Sequence, residues 1–283
     1  MQPLTPDDLL IRHRSLELDG PLLDDQGASP ARSIPLERFQ TLEHAIRENP
    51  LTVEPYLELA GYYLNSQRWT DARRVLENAC QRFPDEERSQ FLLEESRLAR
   101  SLQLNGEAEQ AHQVEPTQLT QAALDKSRLE LNALREKICR GRLQRHPEQL
   151  QLHLPLATAL HGLEQTSAAM ESLRLAMQSP KLRSAAAYQL GQLLEEVGRI
   201  PEALAVYRRA ALFRVPPPPR ELKLRALAAA ADLAERSHLI DSARRYVGLL
   251  VEMDADNIDL LERYNRLCAL PLTICLWKNF YSM

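Results

Sequence analysis

The stretch Ala186–Ala210, AAYQLGQLLEEVGRIPEALAVYRRA, constrains this chain more than any other feature. Leu190 and Gly191 are followed by Leu194, Gly198, Ile200, Ala203, Tyr207 and Ala210. Apolar positions three and four apart, interrupted by a glycine, predict two helices joined by a tight turn. The small residues fall where the two backbones must come close. The pattern recurs. Tyr56, Leu59, Ala60 and Tyr63, then Ala72, Leu76, Ala79 and Pro84, stand in the same register. So do Leu156, Ala157 and Leu160 with Ala169, Leu173 and Ala176, and later Ile240, Ala243, Val247 and Leu250. Ala203 lies 34 residues after Ala169, and Pro84 lies 34 after Pro50. One such helix pair cannot bury its apolar face alone, so neighbouring copies must stack to make a core.

In this spacing the chain resembles the tetratricopeptide repeat (TPR) family, whose pattern W-x2-L-G-x2-Y, A-x3-F and P repeats at about 34 residues. The resemblance covers roughly residues 35–255 and is sharpest at 53–84 and 184–210. It implies an all-α solenoid of helix-turn-helix units, a right-handed superhelix, here with a long central helix. A bulky residue at Ala60, Ala157 or Gly191, or at their partners Ala72, Ala169 and Ala203, is expected to overpack the junction at about 1–3 kcal/mol.

The organisation follows from punctuation. Residues 1–34 read as a flexible arm with a short helix, capped by Thr5 and favoured by Pro6, Asp7 and Asp8. Residues 35–116 hold N-terminal TPR-like repeats, the first of them incomplete because Arg38 stands where an alanine is expected. A helix over 86–105 is expected to stop at Asn105-Gly106, with a polar connection over 107–116. Residues 117–147 form a long connecting helix whose Leu124, Leu131, Leu134 and Ile138 share one stripe. That stripe suits packing on neighbouring helices, or a dimeric coiled coil. Residues 148–256 hold C-terminal TPR repeats. Within them Pro155 is expected to bend or delay a first helix, and Pro216–Pro219 to form a stiff connector. Ala230, Ala231 and Ala234 at the signature positions predict thinner packing of the last first-helix. Residues 257–283 give a capping helix and an apolar tail over 269–283.

Composition narrows the functional classes. A formal charge of −4 gives no general attraction to nucleic acid. The basic run Arg135, Lys137, Arg140, Arg142 and Arg145 is interrupted by Glu136 and lacks stacking aromatics. No apolar stretch approaches the roughly 20 residues of a membrane span, and no signal peptide is visible at the start. The four dispersed cysteines, Cys80, Cys139, Cys268 and Cys275, suit a reducing, cytoplasmic compartment. No phosphate loop, dinucleotide fingerprint or H-E-x-x-H stands in the sequence. The reading is therefore no enzyme, no cofactor and no metal; His146, His153 and His161 lack ligand spacing.

The TPR resemblance also implies a groove lined by first-helix positions, binding an extended or helical protein segment. In this register the partner-binding residues are Leu154, Thr158, Tyr188, Gln192, Glu195, Asp232 and Glu235. His161 and Arg225 belong to the same set, as do Glu54, Leu57, Gly61 and Leu64 in the early repeat. Family members that clasp acidic chaperone tails use a lysine and asparagine clamp. Leu57, Gly61, Tyr188 and Gln192 stand at the equivalent sites here, so that clamp is absent. Glu195, Glu196, Asp232 and Glu235, offset by Arg225 and Arg236, point instead to a basic or polar partner segment. The expected function is a non-catalytic scaffold or adaptor. Two alternatives stay open: a self-assembling structural protein joined through the long helix or the tail, and an accessory subunit of an enzyme or envelope complex.

Overall fold

A computed structural model describes residues 36–270. The expected N-terminal arm, and the tail beyond Leu270, lie outside the described residues. Among the described residues there are twelve α-helices and no strand. The chain divides into two compact units between Ile138 and Cys139.

In the first unit α1 (Leu36–Glu48), α2 (Glu54–Asn65), α3 (Trp69–Arg82) and α4 (Glu87–Val114) pack successively. Leu42, Leu59, Ala60, Tyr63, Ala72 and Leu76 form their buried core. Arg38 is tolerated at the alanine position because it reaches from α1 to an ion pair with Glu58 of α2. Leu57, expected on the groove, is buried in this core instead.

The expected stop at Asn105-Gly106 does not occur, for α4 runs on to Val114. Asn105 is satisfied inside the helix: its Nδ2 donates to Glu109 Oε1 at 3.2 Å, and its Oδ1 accepts from Ser127 Oγ at 3.1 Å. With those partners made, Asn105 loses its reason to terminate the helix.

The long helix α5 (Gln118–Arg145) starts where Thr117 Oγ1 accepts the Thr120 amide at 3.2 Å. Its stripe faces inward along the chain. Leu131, Leu134 and Ile138 pack against Leu98 and Leu102 of α4. Arg128 of α5 pairs with Glu109 of α4 at 3.2 Å.

The second unit holds α6 (His153–Gly162), α7 (Thr166–Ala176), α8 (Arg183–Glu196), α9 (Ile200–Leu212), α10 (Arg220–Arg236), α11 (Ile240–Met253) and α12 (Ile258–Ala269). Each helix packs on the next. The delayed start expected at Pro155 is found: a 3-10 turn over Leu150–Leu152 precedes α6, and the proline sits in the first turn of the α-helix. There a missing amide costs nothing. Pro219, at φ −53° and ψ 145°, carries extended backbone up to the start of α10. The thin packing expected of α10 is not found, since Ala230, Ala231 and Ala234 are completely buried along with Leu227.

Four helix pairs turn in the same way. The middle residue of a three-residue link adopts the left-handed region: Gln67 at φ 56°, Glu164 at 61°, Gly198 at 80° and His238 at 57°. The next amide then donates to the carbonyl five residues back. These bonds run from Arg68 to Tyr63, Gln165 to Leu160, Arg199 to Leu194 and Leu239 to Ala234, at 2.8–2.9 Å. This is a Schellman ending, which glycine accepts without a Cβ penalty. Only one of the four turns has it.

Replacing exposed His238 by glycine is therefore expected to stabilise the chain by about 0.5–1 kcal/mol. Gly198→Ala should destabilise by a similar amount, although open space surrounds its Cβ position. Urea melts of both variants check this. A His238→Gly variant that melts no later than wild type contradicts it.

Candidate functional site

A helical face collects residues three, four, seven and eight apart. On α8 those residues are Tyr188, Gln192, Glu195 and Glu196; on α10 they are Ala229, Asp232 and Arg236. The two helices touch, with α9 packed behind them. Their faces, with Tyr207 of α9, line an open cavity of about 480 Å³. Gly191 makes the close approach possible. A Cβ there would lie 2.6 Å from the Tyr207 ring, well inside contact distance.

Tyr207 sits where Leu76, Leu173 and Val247 stand in the other pairs, and like them it is buried. Unlike them it brings a hydroxyl, which donates to Glu195 Oε2 at 2.9 Å. The Tyr188 ring lies 5.8 Å from the Tyr207 ring, tilted by 47°. Burial, and then the bond to Glu195, push the Tyr207 hydroxyl far above the usual tyrosine range.

The other carboxylate oxygen of Glu195 accepts an ion pair from Arg236, which raises the arginine's own pKa. A second arginine, Arg263 of α12, binds Glu235 Oε1 and Asp232 Oδ1, each at 2.6 Å. Burial lowers the Arg263 pKa, but the two carboxylates outweigh it and the net shift is upward. Glu196 faces His161 Nε2 of α6 at 3.3 Å.

Antiparallel helix pairs in one register, with first helices side by side on one face, decide the fold. The architecture is an all-α, TPR-like helix-turn-helix solenoid. No family model matches the chain, and no curated protein matches it in sequence. Among solved structures it is similar to YrrB, a TPR protein with an unusual peptide-binding site, at 17% identity over 80% of this chain and 99% of that one, with a TM-score of 0.46. The Naa15/Naa10 assembly bound to HypK gives 15% identity, 82% of this chain and a TM-score of 0.45, and the chain spans 36% of that one. PilF of Pseudomonas aeruginosa gives 16%, 81%, 85% and 0.41. Likeness at this level says nothing of function, and the TPR-like description of the fold rests on the helix pairs themselves.

Of the residues expected in the groove, Tyr188, Gln192, Glu195 and Asp232 come together around the cavity. Glu235 is clasped by Arg263 beside it. Leu154 and Thr158 are one repeat earlier on α6 and do not line it; the Thr158 hydroxyl donates to the Leu154 carbonyl at 3.2 Å. Arg225 is exposed and does not line the cavity, whose α10 side begins at Ala229. Sequence reasoning missed Arg263, 31 residues from Asp232 with no local signal linking them. It also missed the Tyr207 hydroxyl, for which a signal existed: a phenol at a position aliphatic in the other repeats. Among the described residues no group of three or more His, Cys, Asp or Glu could hold a metal ion. No described helix is long and apolar enough to cross a membrane.

Because folding raises the Tyr207 pKa, the folded chain keeps a proton that the unfolded chain releases near its ordinary value of about 10. Stability should therefore fall as pH rises above about 10 and be unaffected by this group below it. Tyr207→Phe is expected to make that alkaline loss shallower by up to about 1.4 kcal/mol per pH unit. Urea melts between pH 8 and 11 read the slope. Parallel curves for variant and wild type contradict the assignment.

Proposed function

We propose that the chain is a non-catalytic interaction module that holds a segment of a protein partner in the groove between α8 and α10. One observation carries this reading. Apart from Ala229 and Tyr207 of α9, the cavity is lined by polar and aromatic side chains from consecutive first helices, on an open face, while most apolar residues of the same helices are buried behind it. Repeat stacking makes such faces continuous, which suits an extended or helical segment better than a small substrate. The cavity volume lies within the range of about 300–1,000 Å³ usual for ligand sites. A cytoplasmic setting belongs to the same proposal and rests on the cysteine pattern. Self-assembly through α5 has less support, since much of its apolar stripe is already packed against α4.

The test is a random 16-residue display library selected on the full chain. Selected peptides are expected to lose about tenfold or more in affinity for Tyr188→Ala/Gln192→Ala. That variant should keep wild-type helical content and melting behaviour. Peptides bound equally well by the variant, or no selected peptide at all, contradict the groove reading.

A further inference from the structure

Resting on that reading, the geometry points to a definite chemistry for the partner. We propose that the groove takes a cationic side chain, a lysine or arginine of the bound segment, which replaces Arg236 on the Glu195 carboxylate.

Glu195 is a fixed acceptor. Its Oε2 is held at 2.9 Å by the hydroxyl of Tyr207, whose ring is locked against Gly191 in the core. The Glu195 side chain is 24% exposed, so its orientation is set by the fold rather than by solvent. Its remaining oxygen faces the cavity through Arg236.

Arg236 is held far more loosely. It is the last residue of α10, and its side chain is 64% exposed. Besides Glu195 it has a 3.4 Å bond to the Asp232 carbonyl. Exposed single ion pairs of this kind contribute little. Arg263 shows what a fixed cation looks like in the same neighbourhood: 21% exposed and bonded to two carboxylates at once. Arg236 thus stands in for the ligand's charge and yields to it.

The surroundings favour a cation over other occupants. Three carboxylates line the cavity, from Glu195, Glu196 and Asp232, against the one arginine. Glu196 and Asp232 are about half exposed, at 47% and 55%; Glu196 faces His161 and Asp232 shares Arg263 with Glu235, so the two add to the negative field around Glu195 rather than offer a free carboxylate. The Tyr188 ring on the wall offers a π face to an ammonium or guanidinium group. Gln192, one turn on, offers an amide for the partner backbone.

The experiment repeats the random-library selection on the wild-type full chain, on Glu195→Gln and on Arg236→Gln. Glu195→Gln keeps an oxygen for the Tyr207 hydroxyl, and melting curves confirm that both variants fold. Wild type should enrich lysine or arginine at one peptide position. Changing that arginine to neutral citrulline should weaken binding about tenfold. The unchanged peptide should bind Arg236→Gln roughly two- to fivefold tighter and Glu195→Gln about tenfold weaker. Binding to wild type should also weaken as salt rises. Peptides that depend on Tyr188 and Gln192 but show no basic enrichment would overturn the cation proposal and leave the groove reading standing. Unchanged or weaker binding to Arg236→Gln would overturn the exchange. No selected peptide at all would overturn both readings.

Discussion

Two helices run close together only where one of them gives up its side chain. This chain meets that condition at a fixed place in each full helix pair of its TPR-like repeats. Ala60, Ala157, Gly191 and Ala231 stand sixteen residues before Leu76, Leu173, Tyr207 and Val247, and all the side chains in these two sets are buried. The largest residue of the second set lies opposite the only glycine of the first. A Cβ at Gly191 would sit 2.6 Å from the Tyr207 ring. Interiors pack near crystal density, so a mismatch here cannot be absorbed by empty space. The Schellman turns that follow each first helix depend on the same approach, because they bring the second helix back at a set angle.

This steric match also shapes the groove. In the other pairs the second-helix residue is aliphatic and ends in the core. At position 207 it is a phenol, and its hydroxyl passes beyond the core to orient Glu195. Core and surface are joined through one side chain. Around that fixed carboxylate the remaining charges fall into two kinds. Arg263 ties Asp232 and Glu235 to α12 and holds adjacent repeats together. Arg236 answers a charge without being buried, so the same acidic face combines a structural clasp with an exchangeable one.

Most of the fold was legible because repeat spacing is a local signal reinforced several times over. Leu190, Gly191, Ala203 and Tyr207 announce a helix pair, and a copy 34 residues earlier confirms the period. The long helix was legible too, from Leu124, Leu131 and Ile138. Errors arose where a local signal was overruled by a partner distant in sequence. Asn105-Gly106 reads as a stop, yet Ser127 of the next helix satisfies the asparagine. Leu57 reads as a groove residue, yet it is drawn into the first unit's core. The site was half legible. The register implied by the TPR resemblance named Tyr188, Gln192, Glu195 and Asp232, which line one cavity. The pairing of the acidic residues was not legible, because Arg263 reaches Glu235 and Asp232 from 28 and 31 residues away. Acidic residues that read as an open anionic face are in fact largely paired.

The claim that the α8–α9 pair depends on matched sizes is tested most directly by a double-mutant cycle on Gly191→Ala and Tyr207→Leu, read by urea denaturation. In the wild-type background Gly191→Ala should cost about 1–3 kcal/mol through overpacking. In the Tyr207→Leu background most of that cost should vanish, because leucine restores the pairing found at Ala60 and Leu76. A coupling of about 1 kcal/mol or more between the two sites is the predicted result. Additive effects would contradict it and would mean that the helices meet for some reason other than the fit of tyrosine over glycine.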